Sequence, residues 1–455
     1  MNNCFTKIDE FIISNKLINK GDKILLALSG GGDSVFLFHY FLNKKEDYDF
    51  EFECLHVNHN LRGEDSFNDE VFCIELCKNH DIPITVCSID VKQFASENKK
   101  SIEDAARILR YKELMSIKEK SGFSKIATAH NLDDNIETIF LRIIEGTGLK
   151  GLTGIPVIRN GYIIRPLLTT TKKEIIDYLD SQKINYIFDK SNNDINYKRN
   201  FIRHKLIPTI ENLNPSYQVG MLKTINILKG VSDYYYCGID EIIRNNIIEN
   251  DVTISINNNL FSFNNPIIYA ECIKICMERT FSYRFDSSDF EKLEDLKKLQ
   301  VGKYLELKDE IVLLKDREKT FIYKRKVDDF STIKLNIGET LLIDRRKIFT
   351  KLYDIREIDI RSKKKNEEFF DMLTINPDKL YVRNWELGDT FTPLGMKGKK
   401  KISDFLTDQK SDAYTKRQQK VLVNVNEIIY LIGYRINDKY KITEKTKKVL
   451  KLWID

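Results

Sequence analysis

The chain has 455 residues, 42% hydrophobic and 31% charged, with a formal net charge of +5 at pH 7. At roughly 100–200 residues per domain it is too long for one ordinary core. The composition excludes a disordered chain and a polycation, so a nucleic-acid partner would have to be met by locally concentrated basic residues. Met1–Lys20 carries acidic residues and lacks the apolar core of a signal peptide. No stretch approaches the roughly 20 apolar residues of a membrane helix. The eight cysteines include no C-x-x-C pair. Cys73 and Cys77, like Cys272 and Cys276, stand four apart on helical patterns and read as small buried hydrophobes in a reducing compartment. A cytoplasmic protein without membrane contact is expected.

Strand and helix patterns alternate from the start. Lys23–Leu28 is a short apolar run, as in a strand buried on both faces, followed by a Gly-rich turn and the helical stretch Val35–Leu42. Glu53–Asn58 reads as a strand, Ser66–Asn79 as a helix, Ile84–Ile89 as a strand and Glu103–Lys120 as a helix. Lys125–Ala129 (strand), Leu132–Glu145 (helix) and Tyr162–Leu168 (strand) continue the alternation. Thr171 and Glu174 then spell a capping box for a helix reaching about Ser181. This order predicts an α/β fold, a parallel sheet with helices on both faces and functional loops at the carboxyl ends of its strands. Pro215–Leu299 reads as mainly helical, and Tyr304–Leu307 with Ile311–Leu314 as a hairpin. Beyond about Phe330 short strand-like runs dominate: Leu341–Ile343, Leu380–Val382, Val421–Val425 and Ile428–Ile432. Three domains are expected: residues 1–212 (Rossmann-like, parallel-sheet), 213–328 (mainly helical) and 329–455 (β-rich α+β). All six histidines lie at or before His204, so histidine chemistry, if any, belongs to the first.

Ser29-Gly30-Gly31-Gly32-Asp33-Ser34 falls between a strand and a helix. Glycines admit positive φ and a close ligand, and successive N–H groups ahead of a helix bind anions. Asp33 would repel a bare phosphate, but suits one whose charge Mg²⁺ neutralises. The bland alternative is a tight turn with Ser34 as the helix cap, which needs neither three glycines nor an acid. No G-x-x-x-x-G-K-[ST] exists, so this is not a Walker-type site. Gly146, Gly148 and Gly151 spell G-x-G-x-x-G, but they follow a helix and read as a flexible loop.

The SGGGDS segment resembles the PP-loop of ATP-pyrophosphatases, which split ATP into AMP and pyrophosphate and leave an adenylated intermediate. Three further stretches follow in order: His56-Val57-Asn58-His59 with Leu61-Arg62, Ser101–Tyr111 containing Arg107 and Arg110, and Ala129–Thr138 (AHNLDDNIET). With Arg199–Pro208 (RNFIRHKLIP) they resemble the tRNA(Ile)-lysidine synthase family. The resemblance implies ATP-driven adenylation of the carbon-2 oxygen of the wobble cytidine in a CAU-anticodon isoleucine tRNA. The ε-amine of free L-lysine then displaces AMP to give lysidine, changing the tRNA from methionine to isoleucine identity.

Residues can be matched to those demands. Ser29, Gly30, Gly31, Gly32, Asp33, Ser34 and His56 are expected at ATP, with Asp33 as the Mg²⁺ contact. Asp134 and Glu137, at i,i+3 on one helix face, could hold the lysine ammonium or assist its deprotonation. The alternative is ordinary acids complementing a helix N-terminus. His130 stands at i−4 from Asp134, and Arg107 or Arg110 could stabilise phosphate charge, against a solvated-face alternative. The catalytic set is therefore Asp33, Arg107, His130, Asp134 and Glu137. For His56 and His59 a structural or phosphate-contact role competes with catalysis.

The C-terminal resemblance is looser. Arg383–Asp389, Pro393–Met396 and Lys399–Lys401 look like the family's last domain, with Trp385-Glu386 where a basic residue would be common. Arg203, Lys399, Lys400 and Lys401, with the basic stretch Lys439–Lys451, are candidate tRNA contacts, set against a solvated lysine-rich face. A homodimer is left open. Two other classes compete. A tRNA 2-thiolation enzyme would need catalytic or cluster-binding cysteines, and none lies beside the PP-loop. A non-catalytic RNA-binding nucleotide module would have no reason to keep Asp33.

Overall fold

The computed structural model describes residues 3–61, 63–188, 198–263, 265–325, 332–343 and 346–455. Arg62 of the second motif and Phe330, near the expected C-terminal boundary, lie outside the described residues. By compactness the chain divides into residues 1–236 and 237–455.

The first unit opens with α1 (Asn3–Asn15), β1 (Lys23–Ala27), α2 (Gly32–Tyr48), β2 (Glu51–Asn58), α3 (Glu64–Asn79), β3 (Ile84–Ser88), α4 (Val91–Glu97) and α5 (Ile102–Ser121). It continues with β4 (Lys125–Ala127), α6 (Leu132–Glu145), α7 (Leu149–Leu152), β5 (Ile158–Arg159), β6 (Ile163–Ile164) and α8 (Lys172–Ser181). The strands form one sheet in the order β3-β2-β1-β4-β6-β5, parallel throughout except that β5 runs antiparallel to β6. Alternate residues of β1 feed two cores, as strand geometry requires. Ile24 and Leu26 pack with Phe36 and Tyr40 of α2, while Leu25 packs with Leu114 of α5 and Ile126 of β4. Covering both faces explains why β1 is apolar from Ile24 to Ala27. From β1 the chain winds through β2 to β3, then returns to place β4 on the other side of β1. Ligands in open α/β sheets bind outside the carboxyl ends at such a switch point.

The unit closes with α9 (Lys198–Phe201), a π-helical turn over Ile202–Leu206, α10 (Ile207–Leu213) and the start of α11 (Tyr217–Asn246), which carries the division between units.

The second unit contains β7 (Ile247–Asn250), β8 (Thr253–Asn257), α12 (Pro266–Phe281), α13 (Ser287–Lys298), β9 (Tyr304–Glu306), β10 (Ile311–Lys315) and β11 (Lys319–Lys324). Then come β12 (Ile333–Lys334), β13 (Thr340–Ile343), β14 (Arg346–Asp354), β15 (Glu367–Asp371), β16 (Leu380–Asn384), β17 (Thr390–Phe391) and β18 (Lys400–Lys401). It ends with α14 (Ile402–Asp408), α15 (Ala413–Gln418), β19 (Lys420–Asn424), β20 (Glu427–Leu431), β21 (Arg435–Ile436) and β22 (Lys448–Ile454). Three larger sheets result, β7-β8-β11-β10-β9, β12-β16-β19-β20-β21 and β13-β14-β22-β15.

Three expectations gain detail. The strand read at Tyr162–Leu168 pairs only at Ile163–Ile164; Arg165 still donates its backbone N–H to the Val157 carbonyl, but Pro166 after it has no N–H to extend the ladder. The Pro215–Leu299 segment is mainly helical, as expected, and also holds the β7–β8 hairpin, whose turn is held by the Asn250 side chain accepting from Val252 and Thr253 N–H. The helix read at Val35–Leu42 begins three residues earlier and runs to Tyr48, so Asp33 and Ser34 lie inside its first turn.

Candidate active site

The loop after β1 is held in a tight conformation by its glycines and serines. Gly30 has φ +83°, and a Cβ there would lie 2.4 Å from Ile187 Cδ1. That close approach is fixed by Ile187 N–H donating to the Gly30 carbonyl at 2.9 Å. Ser34 does not cap α2. Its Oγ donates to the Gly31 carbonyl at 2.9 Å and accepts from Ser29 N–H at 3.2 Å, bracing the loop from within. Gly31, in extended conformation, starts the helix with no side-chain cap, so no side chain satisfies the first N–H groups at the positive end of the helix dipole.

Asp33, in that first turn, accepts from Lys172 Nζ at 2.8 Å and Asn131 Nδ2 at 3.1 Å, both on one oxygen. Burial raises its pKa, Lys172 opposes the shift and Asp134 adds to it. Lys172 is the first residue of α8, and Asp133 of α6 accepts its backbone N–H at 2.7 Å. Asn131 caps α6 in a capping box with Asp134. The loops after β1, β4 and β6 thus converge at the switch point.

His56, buried in β2, sits 3.0 Å from the Leu28 carbonyl through Nδ1. A carbonyl only accepts, so Nδ1 carries a proton and donates it there. His130 Nδ1 lies 3.0 Å from Thr128 Oγ1. Burial depresses the His130 pKa well below the ordinary imidazole value; Asp134 opposes this, and Arg165, Arg110 and Arg199 reinforce it.

Asp134 and Glu137 share one face of α6, as their spacing requires, but both already meet cations. Arg199 of α9 donates to Asp134 Oδ1 from Nη2 and to Glu137 Oε2 from Nε, each at 2.9 Å. Arg203 of the π-helical turn donates to Glu137 Oε1 from Nε at 2.6 Å and to Oε2 from Nη2 at 2.9 Å. Burial alone would raise the Asp134 pKa, but Arg199, His130 and the Asn131 N–H outweigh it and hold the group below the usual carboxylate range. Arg203, expected to face tRNA, here faces Glu137. Arg107 is exposed on α5 and lines an open groove of about 730 Å³ with Tyr111 and Arg159. Among the described residues no hydrogen bond or ion pair joins it to Asp33, Asp134 or Glu137. Arg110, by contrast, is close enough for its charge to act on His130 and Arg199.

Sequence reasoning missed Lys172, Asn131, Asp133 and the pairing role of Arg199. The capping box at Thr171 located the end of α8 that carries Lys172, but the contact to Asp33 crosses 139 positions. Among the described residues no group of three or more His, Cys, Asp or Glu side chains could hold a metal ion by itself.

A PP-loop domain model matches residues 2–210. A tRNA(Ile)-lysidine synthase of Bacteroides thetaiotaomicron is 35% identical over 444 residues, 98% of this chain and 98% of the relative. The chain belongs to the tRNA(Ile)-lysidine synthase family. Another such synthase, of Clostridium tetani, is 33% identical over 451 residues, 96% of each chain. Among solved structures, the U34-tRNA thiolase NcsA of Methanococcus maripaludis, described with its 4Fe-4S cluster, aligns with TM-score 0.42 and 16% identity, over 50% of this chain and 78% of that one. Membership places ATP at the PP-loop domain. Among the described residues, no helix is long and apolar enough to cross a membrane.

The second unit carries the other basic residues singled out from sequence. Arg383, Lys397, Lys399 and Lys439 line a polar cavity of about 620 Å³ with Asp389 and Glu427. Arg383 is spent on Asp389, at 2.7 and 3.0 Å, and Lys439 on Glu427 at 2.6 Å. Lys400 pairs with Asp408 and lies over the Phe405 ring. Trp385 packs against the cluster around Phe391 and Phe405 and donates its indole N–H to the Lys416 carbonyl. That gives Trp385 a packing role at a position where the family resemblance would commonly place a basic residue.

Proposed function

We propose that the chain joins lysine to carbon 2 of the wobble cytidine in a CAU-anticodon isoleucine tRNA, at the cost of ATP going to AMP and pyrophosphate. Family membership supports the reaction. One observation carries its placement: Asp33 of the phosphate-binding turn and the acid pair of α6 are joined through Asn131 at the switch point of one sheet. An ATP phosphate on the α2 N-terminus would then lie beside the acids that attract a lysine ammonium.

The residues fit Mg²⁺. Asp33 offers a hard oxygen donor, and a cation, Lys172 Nζ, already stands on it. Mg²⁺ takes one or two carboxylates and completes its shell with substrate phosphates and water, so no larger protein ligand set is needed. When bound it neutralises phosphate charge. The chain's own residues do the rest. The first-turn N–H groups of α2 orient the phosphates, and His56 braces the end of β1 through the Leu28 carbonyl. Arg110 stabilises negative charge near His130. Asp134, held ionised by Arg199, and Glu137, paired with Arg199 and Arg203, attract the ε-ammonium, which shares them with the guanidinium groups or displaces one. Lysine attacks as the free amine. As the C–N bond forms, the bond from carbon 2 to its adenylated oxygen breaks, AMP departs with that oxygen and the proton on the adduct nitrogen passes to solvent, while His130, held neutral, lines the site.

Within this reading residues 1–212 form the catalytic part, 213–328 the middle part and 329–455 the part that meets tRNA, in the cytoplasm, through Lys399, Lys401 and neighbouring cations. The test is pyrophosphate release by the purified chain: it should require tRNA, and turnover should require lysine as well. Release with neither present would assign the site to another reaction.

A further inference from the structure

We infer that Lys172 is a substrate-contacting residue of the adenylation step: a cation that rests on Asp33 and transfers to the β- and γ-phosphates of ATP. The inference rests on the reading of Asp33 as the Mg²⁺ contact and assigns a partner to the lysine displaced from it.

Lys172 occupies an unusual position for a surface lysine. Its backbone is pinned, the N–H donating to Asp133 at 2.7 Å, and α8 is held against the loop by Ile176 and Leu179 beneath Gly32. Its side chain is 46% exposed, yet the ammonium lies 2.8 Å from an Asp33 oxygen in the first turn of α2. A strut would need only this pair. A phosphate bound on the same turn, however, would stand close to the same ammonium. Asp33 cannot hold both a divalent cation and the lysine on one oxygen without like-charge repulsion at contact distance. The flexible stem lets the ammonium move while Asp133 keeps its root in place. The nearest new anion is the polyphosphate. In adenylation the base oxygen bonds to the α-phosphorus while the bond from that phosphorus to the bridging oxygen breaks. The electron pair leaves with pyrophosphate, so negative charge grows where Lys172 would stand.

The experiment titrates the full chain separately with MgATP and with AMP, using wild type, Lys172→Met and Lys172→Arg, with thermal melting as the fold control. Met keeps the aliphatic stem and removes the charge. Lys172→Met should weaken MgATP binding by about tenfold or more and leave AMP binding within about twofold, because AMP lacks the β- and γ-phosphates. Lys172→Arg should recover most MgATP affinity. Equal losses for MgATP and AMP, or unaltered MgATP affinity, would overturn the inference and leave Lys172 a strut between α8 and the loop. If the Met variant melts early, an Arg variant that folds but binds MgATP no better than the Met variant also overturns it. A wild-type chain without MgATP affinity contradicts the nucleotide-site reading itself, and this inference with it.

Discussion

Glu137, 2% exposed within α6, accepts two hydrogen bonds from Arg203, at 2.6 Å to one carboxylate oxygen and 2.9 Å to the other. A buried carboxylate so held cannot lose its partner cheaply. Removing its charge should therefore register in both stability and lysine use. Glu137→Gln and Asp134→Asn are expected to raise the lysine requirement by about 10–150-fold, the worth of one charge-assisted hydrogen bond, with much less change in ATP affinity. Separate titrations of lysine and ATP check this. Unchanged lysine dependence with damaged ATP binding would reassign both acids to the nucleotide.

Asp33 is partly exposed, and its pair with Lys172 is a near-surface one worth less than about 1 kcal/mol. Asp33→Ala should leave the melting temperature nearly unchanged and abolish adenylation, measured as pyrophosphate release. Normal lysidine formation by this variant would remove Asp33 from the site; an unfolded variant would make it a residue of the turn alone.

Gly30→Ala tests the phosphate turn. A side chain there meets both a positive φ and Ile187 Cδ1 at 2.4 Å. The expected cost is on the order of 1–3 kcal/mol of stability, with weakened ATP binding, since the loop must shift to relieve the clash. Wild-type stability in this variant would show that the turn and the Ile187 segment separate readily.

The phosphate turn was legible because its residue types are demanding: three glycines and an acid between a strand and a helix leave few alternatives. The acid pair on α6 was legible from i,i+3 spacing. Its partners were not, since Arg199 and Arg203 reach Glu137 across 62 and 66 positions and no local pattern encodes that distance. Arg203 looked like a free cation for the same reason. Strand β6 was over-read because Arg165 and Pro166 sit in an apolar run whose hydrophobicity serves the core, not a ladder. The β7–β8 hairpin was hidden by its helical flanks, although Thr253-Ile254-Ser255-Ile256 alternates with period two.

Acid sensitivity has a defined sign. Burial, and then His80, push the His39 pKa down to about 4. An ordinary unfolded histidine titrates near 6.5, so between about 6.5 and 4 the unfolded chain binds the extra proton, and stability is lost as pH falls through that window. His39→Phe should reduce the loss by about 1–2 kcal/mol, allowing for partial exposure of the ring. Denaturant melts at pH 7 and pH 4.5 measure it. An equal pH slope in both proteins would mean that His39 does not contribute to the loss.

The C-terminal cations divide by engagement. Lys400 is tied to Asp408, so Lys400→Ala should change tRNA affinity less than Lys399→Ala, which should also lower the salt slope of binding by about 1. Identical salt slopes for Lys399→Ala and wild type would leave Lys399 as part of a solvated face.

The most direct test of the central claim is incorporation of labelled lysine into a CAU-anticodon isoleucine tRNA transcript, with a methionine tRNA as control. Label is expected in the isoleucine transcript alone, dependent on ATP, at the wobble cytidine. ATP hydrolysis without label, or label in both tRNAs alike, would contradict the account.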